Sequence, residues 1–469
     1  MVAPFDLESL REAELQPSEP SWFPTSPESL ESPELTESSE LTGQPEGHDA
    51  PFSRKERRQA SGPTFPILSR RRRWVIVVLV PVVVIAAAAI FVGVRLSAAI
   101  PPAVVTTSLS KFVQVHRPAN ALPWPPSGQA AIAVPSIGID VASGPEQAAP
   151  VASLTKMMTA YVILQDHPLT GNQQGPNITM SQTDVDDFNR DTVQDQANAQ
   201  VSVGEVLTER QLLGGMLVHS ADDYADALAR WDAGSLPAFV DKMNQTAAAL
   251  GMHHTHYADA SGFDPGSQST ASDQLRVAGP DMNIPVFASI VNATSITLPV
   301  AGTITSYTPL IGFDGVIGVK SGFTQQSGGC DVVAVIRRAH GLPVLILAAV
   351  TGQQGPGVLR LAATQGLTLA NAVGTLISAT PIIRSGTVVA RVTAVGRTVT
   401  ATVRGTANVL SWPGVTATRV FKRSGTIRQG AKAGTRIGSV IVTMGTQRVM
   451  LPVRLTGSLP KESLSQRLF

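Results

Sequence analysis

Ser153 and Lys156 stand three residues apart in Val151-Ala-Ser-Leu-Thr-Lys-Met-Met-Thr-Ala160. On a helix, positions i and i+3 share a face, so the lysine amine can reach the serine hydroxyl. A serine hydroxyl is protonated at neutral pH and attacks only when a neighbouring base takes its proton. An amine serves as that base only if its pKa is drawn down from ~10.4 by burial and a nearby cation. The pair therefore reads as the start of an acyl-transfer site at the head of an amphipathic helix. The spacing alone is common; Ser108-Leu-Ser-Lys111 repeats it inside a linker, where it carries no chemistry. Two further segments supply context. Ser220-Ala-Asp222 opens the helical stretch Tyr224-Ala-Asp-Ala-Leu-Ala229, and Lys320-Ser321-Gly322 directly follows the β-type run Gly315-Val-Ile-Gly-Val319.

These pieces lie far apart in the chain, so a folded scaffold must bring them together. Ala130 to Val134 and Ile139 to Val141 read as a strand pair turned by Pro135-Ser-Ile-Gly138. Glu205–Leu217, Ala221–Arg230 and Pro237–Leu250 have helical apolar spacing, the last closed by Gly251. Val316–Val319, Asp331–Arg337 and Pro343–Val350 are β-branched runs typical of strands. A last helix runs from about Gly357 to Val373. Residues 128–375 therefore form a mixed α and β catalytic domain, with strands from both ends of the segment. From about Thr380 the texture changes to short β runs separated by turns, which predicts a small all-β, sandwich-like domain over 380–458. That stretch holds no acid, His or Cys cluster, and reads as a spacer or protein-contact module.

Composition narrows the classes. The 469 residues suffice for two or three domains. A net charge of +1 gives no hint of nucleic acid as a partner. The single cysteine, Cys330, excludes a disulfide framework and any zinc site built on several thiolates. Residues 1–50 hold twelve acids and one base, Arg11, in a Ser-, Pro- and Glu-rich stretch. Such a segment buries too little apolar surface to offset its chain entropy, so 1–73 is expected to be a disordered tail. Its candidate phosphorylation sites include Thr25, Ser26 and Thr36, and it is a candidate docking segment for a cytoplasmic partner. Trp74 to Val94 is an apolar run of 21 residues, which at 1.5 Å per residue spans ~31 Å, a bilayer core. Arg70–Arg73 flank it on one side and only Arg95 on the other. The positive-inside rule then predicts a single-pass membrane helix, the N-terminus cytoplasmic and the catalytic domain outside. The Pro-rich segment 95–127 is expected to be an extended tether.

The three motifs, in this order, resemble those of the serine penicillin-binding proteins and β-lactamases. The resemblance is closer to the D-alanyl-D-alanine carboxypeptidases of peptidase family S11. It is carried by Ala152-Ser-Leu-Thr-Lys-Met-Met-Thr-Ala160, Val203-Gly-Glu-Val-Leu-Thr208, Phe239-Val-Asp-Lys-Met-Asn244, Leu250-Gly-Met252, Ala260-Ser-Gly-Phe263, Gly318-Val-Lys-Ser-Gly-Phe-Thr324 and Gly329-Cys330. It covers about 128–372 and implies an antiparallel sheet flanked by helices. It also implies roles. Ser153 would attack the bond between the terminal D-alanines of a peptidoglycan stem peptide, Lys156 would take its proton, and Ser220 would pass a proton to the leaving D-alanine. Lys320 and Ser321 would hold the substrate carboxylate, with Gly322 in the same motif. The backbone amides of Ser153 and Phe323 would form the oxyanion hole, and β-lactams would trap the acyl-serine. No cofactor or metal is implied.

Two positions depart from the family pattern. Ser321 replaces a threonine and keeps the hydroxyl. Asp222 replaces an asparagine, and an ionised aspartate only accepts hydrogen bonds. Asp222 is thus expected to weaken the contact to substrate, or to pair with Lys156 and oppose its action as a base. The alternatives are another acyl-serine enzyme (a β-lactamase or DD-endopeptidase), or a non-catalytic wall-binding homologue. A β-lactamase of class A needs a deacylating glutamate, and no Glu-x-x-Leu-Asn segment lies between Ser220 and Lys320. His253, His254 and His256 lack the companion carboxylates of a zinc enzyme. Cys330 reads as a buried strand residue. Arg360 is a weaker candidate for a carboxylate clamp.

Overall fold

The computed structural model describes residues 70–116, 122–144 and 146–469. The acidic tail, its candidate phosphorylation sites and the basic stretch up to residue 69 lie outside the described residues. The described chain divides into two units, 102–460 and a smaller one made of 70–101 with 461–469.

The smaller unit holds helix α1 (Arg70–Ser97), which runs past the expected 74–94 at both ends. Its stretch Val77–Ser97 has mean hydropathy 3.0 and no buried residue, and it is long and apolar enough to cross a membrane. Pro81 sits inside it, as membrane helices tolerate. Arg467 donates to the carbonyls of Leu96 and Ala98 and so satisfies acceptors at the end of α1.

The larger unit opens with a departure from the expected tether. Within 95–127, β1 (Val104–Thr107) and β2 (Phe112–Gln114) are strands at the two edges of the C-terminal sheet. Their β-branched and aromatic residues favour pairing, and each covers backbone groups of an edge. The chain then forms the hairpin β3 (Gln129–Val134) and β4 (Ile139–Ala142). Short ladders follow: β5 (Ala149–Pro150) with β8 (Gln268–Ser269), β6 (Asn177–Thr179) with β7 (Val206–Thr208), and β9 (Ser295–Leu298) with β10 (Gly302–Thr305). Strands β11 (Val316–Thr324), β12 (Gly328–Ala339) and β13 (Leu342–Gln353) join β3 and β4 in an antiparallel sheet ordered β11-β12-β13-β3-β4.

Helices α2 (Thr155–Asp166), α3 (Gln182–Val193), α4 (Glu209–Val218), α5 (Asp222–Ala233), α6 (Leu236–Ala249), α7 (Ala271–Met282) and α8 (Pro285–Val291) lie between β5 and β9, and α9 (Val358–Leu376) follows β13. The sheet is buried on both faces. Val319, Val332, Ala334, Leu347 and Ala349 join the core of α2 and α4–α8, while Val333, Val335, Ile346, Ala348 and Val350 join α9 and the C-terminal region. This alternation is the period of two of a strand, and it explains why these strands read as unbroken apolar runs. The expected amphipathic helix is corrected: Thr155 to Leu164 of α2 are all buried, including Lys156. A helix enclosed on every side has no polar stripe. The reading from spacing also passed over α3, α7 and α8, whose acids, Pro280 and short length obscure helical periodicity.

The C-terminal region contains β14 (Ser378–Ile383), β15 (Val388–Ala394), β16 (Arg397–Val403), β17 (Ala407–Ser411), β18 (Thr416–Arg423), β19 (Arg436–Met444) and β20 (Gln447–Leu455). Seven strands form one antiparallel sheet, β1-β15-β16-β20-β19-β18-β2, beside the β14–β17 ladder. Its buried face does not close on itself but shares one core with β3, β12, β13 and α9. Gln447 at the start of β20 donates to the Ser136 carbonyl in the β3–β4 turn at 2.9 Å.

Candidate active site

Ser153 lies in the tight turn Ala152–Leu154 that leads into α2. Ala152 takes φ +51°, a left-handed value that non-glycine residues rarely adopt, so Ser153, the candidate nucleophile, sits on a strained corner. Two glycines make that corner possible. A Cβ on Gly262 would lie 1.9 Å from the Ala152 carbonyl oxygen, and one on Gly322 would lie 2.7 Å from the Ser153 amide nitrogen. The edge strand β11 and the loop 259–264 are thereby pressed against the serine from two sides.

The Lys156 ammonium makes three bonds. It donates to Ser153 Oγ at 3.0 Å, to the Ser261 carbonyl at 2.9 Å and to Asp222 Oδ1. An ammonium has three protons, and each is taken. Removal of one would leave a lone pair facing the Ser153 hydroxyl while the other two bonds stand, which is the geometry of a general base. The Ser261 loop is itself fixed by Asp259, which accepts from the amides of Gly262 and Asp264 and from the hydroxyls of Ser261 and Ser267.

Ser220 has φ +65° and does not cap α5, whose N-cap Ala221 makes no side-chain bond. Its hydroxyl instead accepts from Lys320 Nζ at 3.0 Å. Lys320 donates also to the Ser321 carbonyl at 2.7 Å. Burial pushes the Lys320 amine down to about 7, the Lys156 charge adding to this and Asp222 and Asp331 opposing it. Ser321 donates its hydroxyl to the Tyr307 carbonyl at 3.0 Å, so only its lone pairs are left for another partner. Phe323 is half exposed at the end of β11. The structure thus gathers the three motifs around one oxygen: two lysines, two serines and Asp222, all but Ser153 almost fully buried.

Asp222 pairs with Lys156, one of the two outcomes its identity allowed. Burial raises its carboxyl to about 6, the Lys156 charge and hydrogen bond acting against burial and Asp191 and Asp259 reinforcing it. Asp223, beside it, is pushed well above the usual carboxylate range by burial although it accepts from the Ala199 amide. Asp191, Asp187 and Asp226 surround Arg190, and Arg230 binds Asp184 and Asp187. The motif thus stands on a network of buried carboxylates and two arginines. Asp331 faces Ser321 across the β11–β12 ladder, and burial drives its carboxyl far up while Lys320 pulls it down. Among the described residues, neither of its oxygens has a hydrogen-bond partner.

The spacing argument missed Ser261, Asp259, Tyr307, Asp191 and Asp331 as parts of the site. A lone acid inside the apolar run Cys330-Asp331-Val332 was the one available signal. Cys330 is fully buried in β12, and burial pushes its thiol up to about 11, out of the range of a nucleophile. Arg360 is exposed in the first turn of α9, with no contact tying it to Ser153 or Lys320 among the described residues. The backbone of His256 pairs with Gln268 and the His254 amide donates to Asp273. Among the described residues, no three His, Cys, Asp or Glu side chains gather as metal ligands.

Comparison with known proteins places the site in context. The sequence pattern of the D-alanyl-D-alanine carboxypeptidases matches residues 138–351. The D-alanyl-D-alanine carboxypeptidase of Streptomyces sp. strain K15 is 31% identical over 202 residues, 39% of this chain and 67% of that protein. The D-alanyl-D-alanine endopeptidase of Haemophilus influenzae is 35% identical over 136 residues, 29% of this chain and 42% of that protein. The chain therefore spans from under half to two thirds of the length of these relatives. The crystal structure of the D-alanyl-D-alanine carboxypeptidase DacD from Francisella tularensis superposes with TM-score 0.50 at 20% identity. That alignment covers 74% of this chain and 96% of that one, a likeness of fold.

Proposed function

This chain belongs to the D-alanyl-D-alanine carboxypeptidase family, and we propose on that premise that it is a serine-type carboxypeptidase that removes the terminal D-alanine from peptidoglycan stem peptides. The observation that carries the reading is the Ser153 hydroxyl, 3.0 Å from Lys156 Nζ, with the Lys320–Ser220 pair beside it. Lys156 takes the Ser153 proton and the oxygen attacks the carbonyl between the two D-alanines. The developing anion is met by the amides of Ser153 and Phe323, and by a strand that Gly322 lets approach without a side chain. As the C–N bond breaks, the proton held by Lys156 is relayed through the Ser220 hydroxyl, itself bonded to the Lys320 ammonium, to the leaving amine, and the acyl group stays on Ser153. Water then attacks the ester, and Lys156 again holds the proton that moves. The Lys320 charge and the Ser321 hydroxyl, once it turns from Tyr307 to donate to the substrate, hold the substrate carboxylate. β-Lactams enter the same route and stop at the acyl-serine.

The anchoring follows from α1: the N-terminus stays in the cytoplasm with its flanking arginines, and the catalytic region lies outside the cell. The experiment is release of D-alanine from a pentapeptide by wild type and by Ser153→Ala, with a fluorescent penicillin as covalent probe. Release and labelling that both vanish in the variant support the reading; labelling without release favours an endopeptidase or a β-lactamase. An endopeptidase has a specific observation behind it, the name of the Haemophilus influenzae relative, and would cut a cross-linked dimer peptide instead. Absence of any labelling in wild type favours a wall-binding protein.

A further inference from the structure

The outward face of the seven-stranded sheet is built unlike the rest of the molecule. Register places its residues together. Arg391 on β15 faces Thr400 on β16, Thr402 on β16 faces Arg454 on β20, and Met450 on β20 faces Ile441 on β19, which faces Val420 on β18. Period two then puts Arg448 with Met450 and Arg454, and Lys422 with Val420, on the same side. Phe112 on β2 joins them opposite Thr418. Phe112, Val420 and Met450 are 58%, 39% and 54% exposed. Arg391, Lys422, Arg448 and Arg454 are exposed as well. Residues 380–458 contain twelve Arg and Lys and no Asp or Glu at all. No carboxylate pairs with these four cations among the described residues. The opposite face is apolar and committed to the shared core.

A face of exposed arginines interleaved with apolar side chains and threonine hydroxyls, lacking acids, matches a surface of phosphate headgroups over hydrocarbon. Covalent continuity favours a lipid source over a free polymer. Only Ala98–Ala103 separate α1 from β1, and six residues extend at most ~21 Å. We propose that this face of the sheet rests on anionic lipid at the membrane surface into which α1 inserts, the arginines pairing with phosphates and Phe112, Val420 and Met450 dipping into the interface. The inference rests on the proposed anchoring, not on the chemistry at Ser153.

The test uses the full-length protein in nanodiscs of phosphatidylcholine, with or without phosphatidylglycerol. A dye is attached at Met450→Cys, Cys330 being buried, and its quenching by lipids spin-labelled at the headgroup is read. Quenching in anionic discs, absent in neutral ones and lost at about 1 M salt, is the expected result. Arg391→Glu/Arg448→Glu/Arg454→Glu should weaken the contact about 100-fold and abolish quenching. Thermal unfolding of that variant, unchanged, shows that the sheet still folds. Penicillin labelling of Ser153 is followed in the same samples, so failure of the catalytic reading and failure of this one are separate results. Equal quenching in neutral discs, or none in anionic discs, overturns the proposal. A dye shift caused by soluble polyphosphate in neutral discs, without quenching in anionic ones, overturns it in favour of an anionic polymer.

Discussion

Residues 128–375 carry twenty-one acids against ten Lys and Arg; residues 380–458 carry twelve cations and no acid. In the first region charge is turned inward. Lys156, Lys320, Asp191, Asp222, Asp223 and Asp331 are all buried, and the ionisation of Lys320 and of the four acids is set by exclusion of water and by neighbouring charges. In the second region the cations other than the half-buried Arg419 stand in solvent at the ends of strands and across an open face. Buried charge is costly unless it is paired, so it is found where chemistry needs it. Exposed charge costs little and acts on whatever approaches. The two regions share a hydrophobic core, yet their charged residues are placed differently, enclosed in the one and spread over a surface in the other.

That contrast can be broken by substitutions on either side. The largest effect is expected from Ser153→Ala, which should remove covalent penicillin labelling and lower D-alanine release by about 10⁴-fold or more. Next is Lys320→Met, expected to lower turnover of carboxylate-ended substrate by about 100- to 1000-fold. In wild type the Lys320 charge is present below its pKa of about 7 and is lost above it. KM for such a substrate should therefore rise as pH climbs through 7, and a KM flat from pH 6 to 8 would remove Lys320 from carboxylate binding. Gly262→Ala is third. A methyl 1.9 Å from the Ala152 carbonyl forces the serine corner to move. Acylation should drop about 30-fold, with a stability loss of about 2–4 kcal/mol measured by denaturant unfolding.

Asp222→Asn sharpens the comparison with a smaller change of opposite sign. Below its pKa of about 6 Asp222 is neutral and can both donate and accept, as an asparagine does; above it the carboxylate holds the Lys156 ammonium. The ratio of acylation rates, variant over wild type, should grow about tenfold from pH 5 to pH 8. A ratio that stays flat or falls would give the carboxylate a specific role of its own. Smallest is Arg448→Ala in the basic region, where stability should stay within about 0.5 kcal/mol and penicillin acylation within about twofold. A large loss there would mean that the two regions are coupled in catalysis.

Much of this architecture was legible before any coordinates. The runs around β11, β12 and β13 declared themselves by β-branched content, and α5, α6 and α9 by apolar spacing. The tether was misread because prolines at 101, 102, 118 and 123 outweighed the two short β runs between them. Edge pairing, which no local pattern contains, decides β1 and β2. Helix α2 reads as amphipathic because Lys156, Thr155 and Thr159 mimic a polar face; enclosure among α5–α7 turns them all inward. In the site, Ser153, Lys156, Ser220, Lys320 and Ser321 were nameable from motif order. Ser261 was not, since it contributes a backbone carbonyl, and a carbonyl leaves no mark in the residue type.

By itself the sequence determined the chemical parts: which side chains can attack, which can move a proton, which can hold an anion, and a stretch apolar enough for a bilayer. These follow from residue type and near spacing, which are local properties. Only the tertiary structure decided that Asp222 meets Lys156 rather than open solvent, that Ser220 serves Lys320 instead of capping its helix, and that the cations of β15, β18 and β20 share one face. Those facts depend on distances between segments scores of residues apart, and burial, which fixes the charge on each group, exists only once the chain has closed around it.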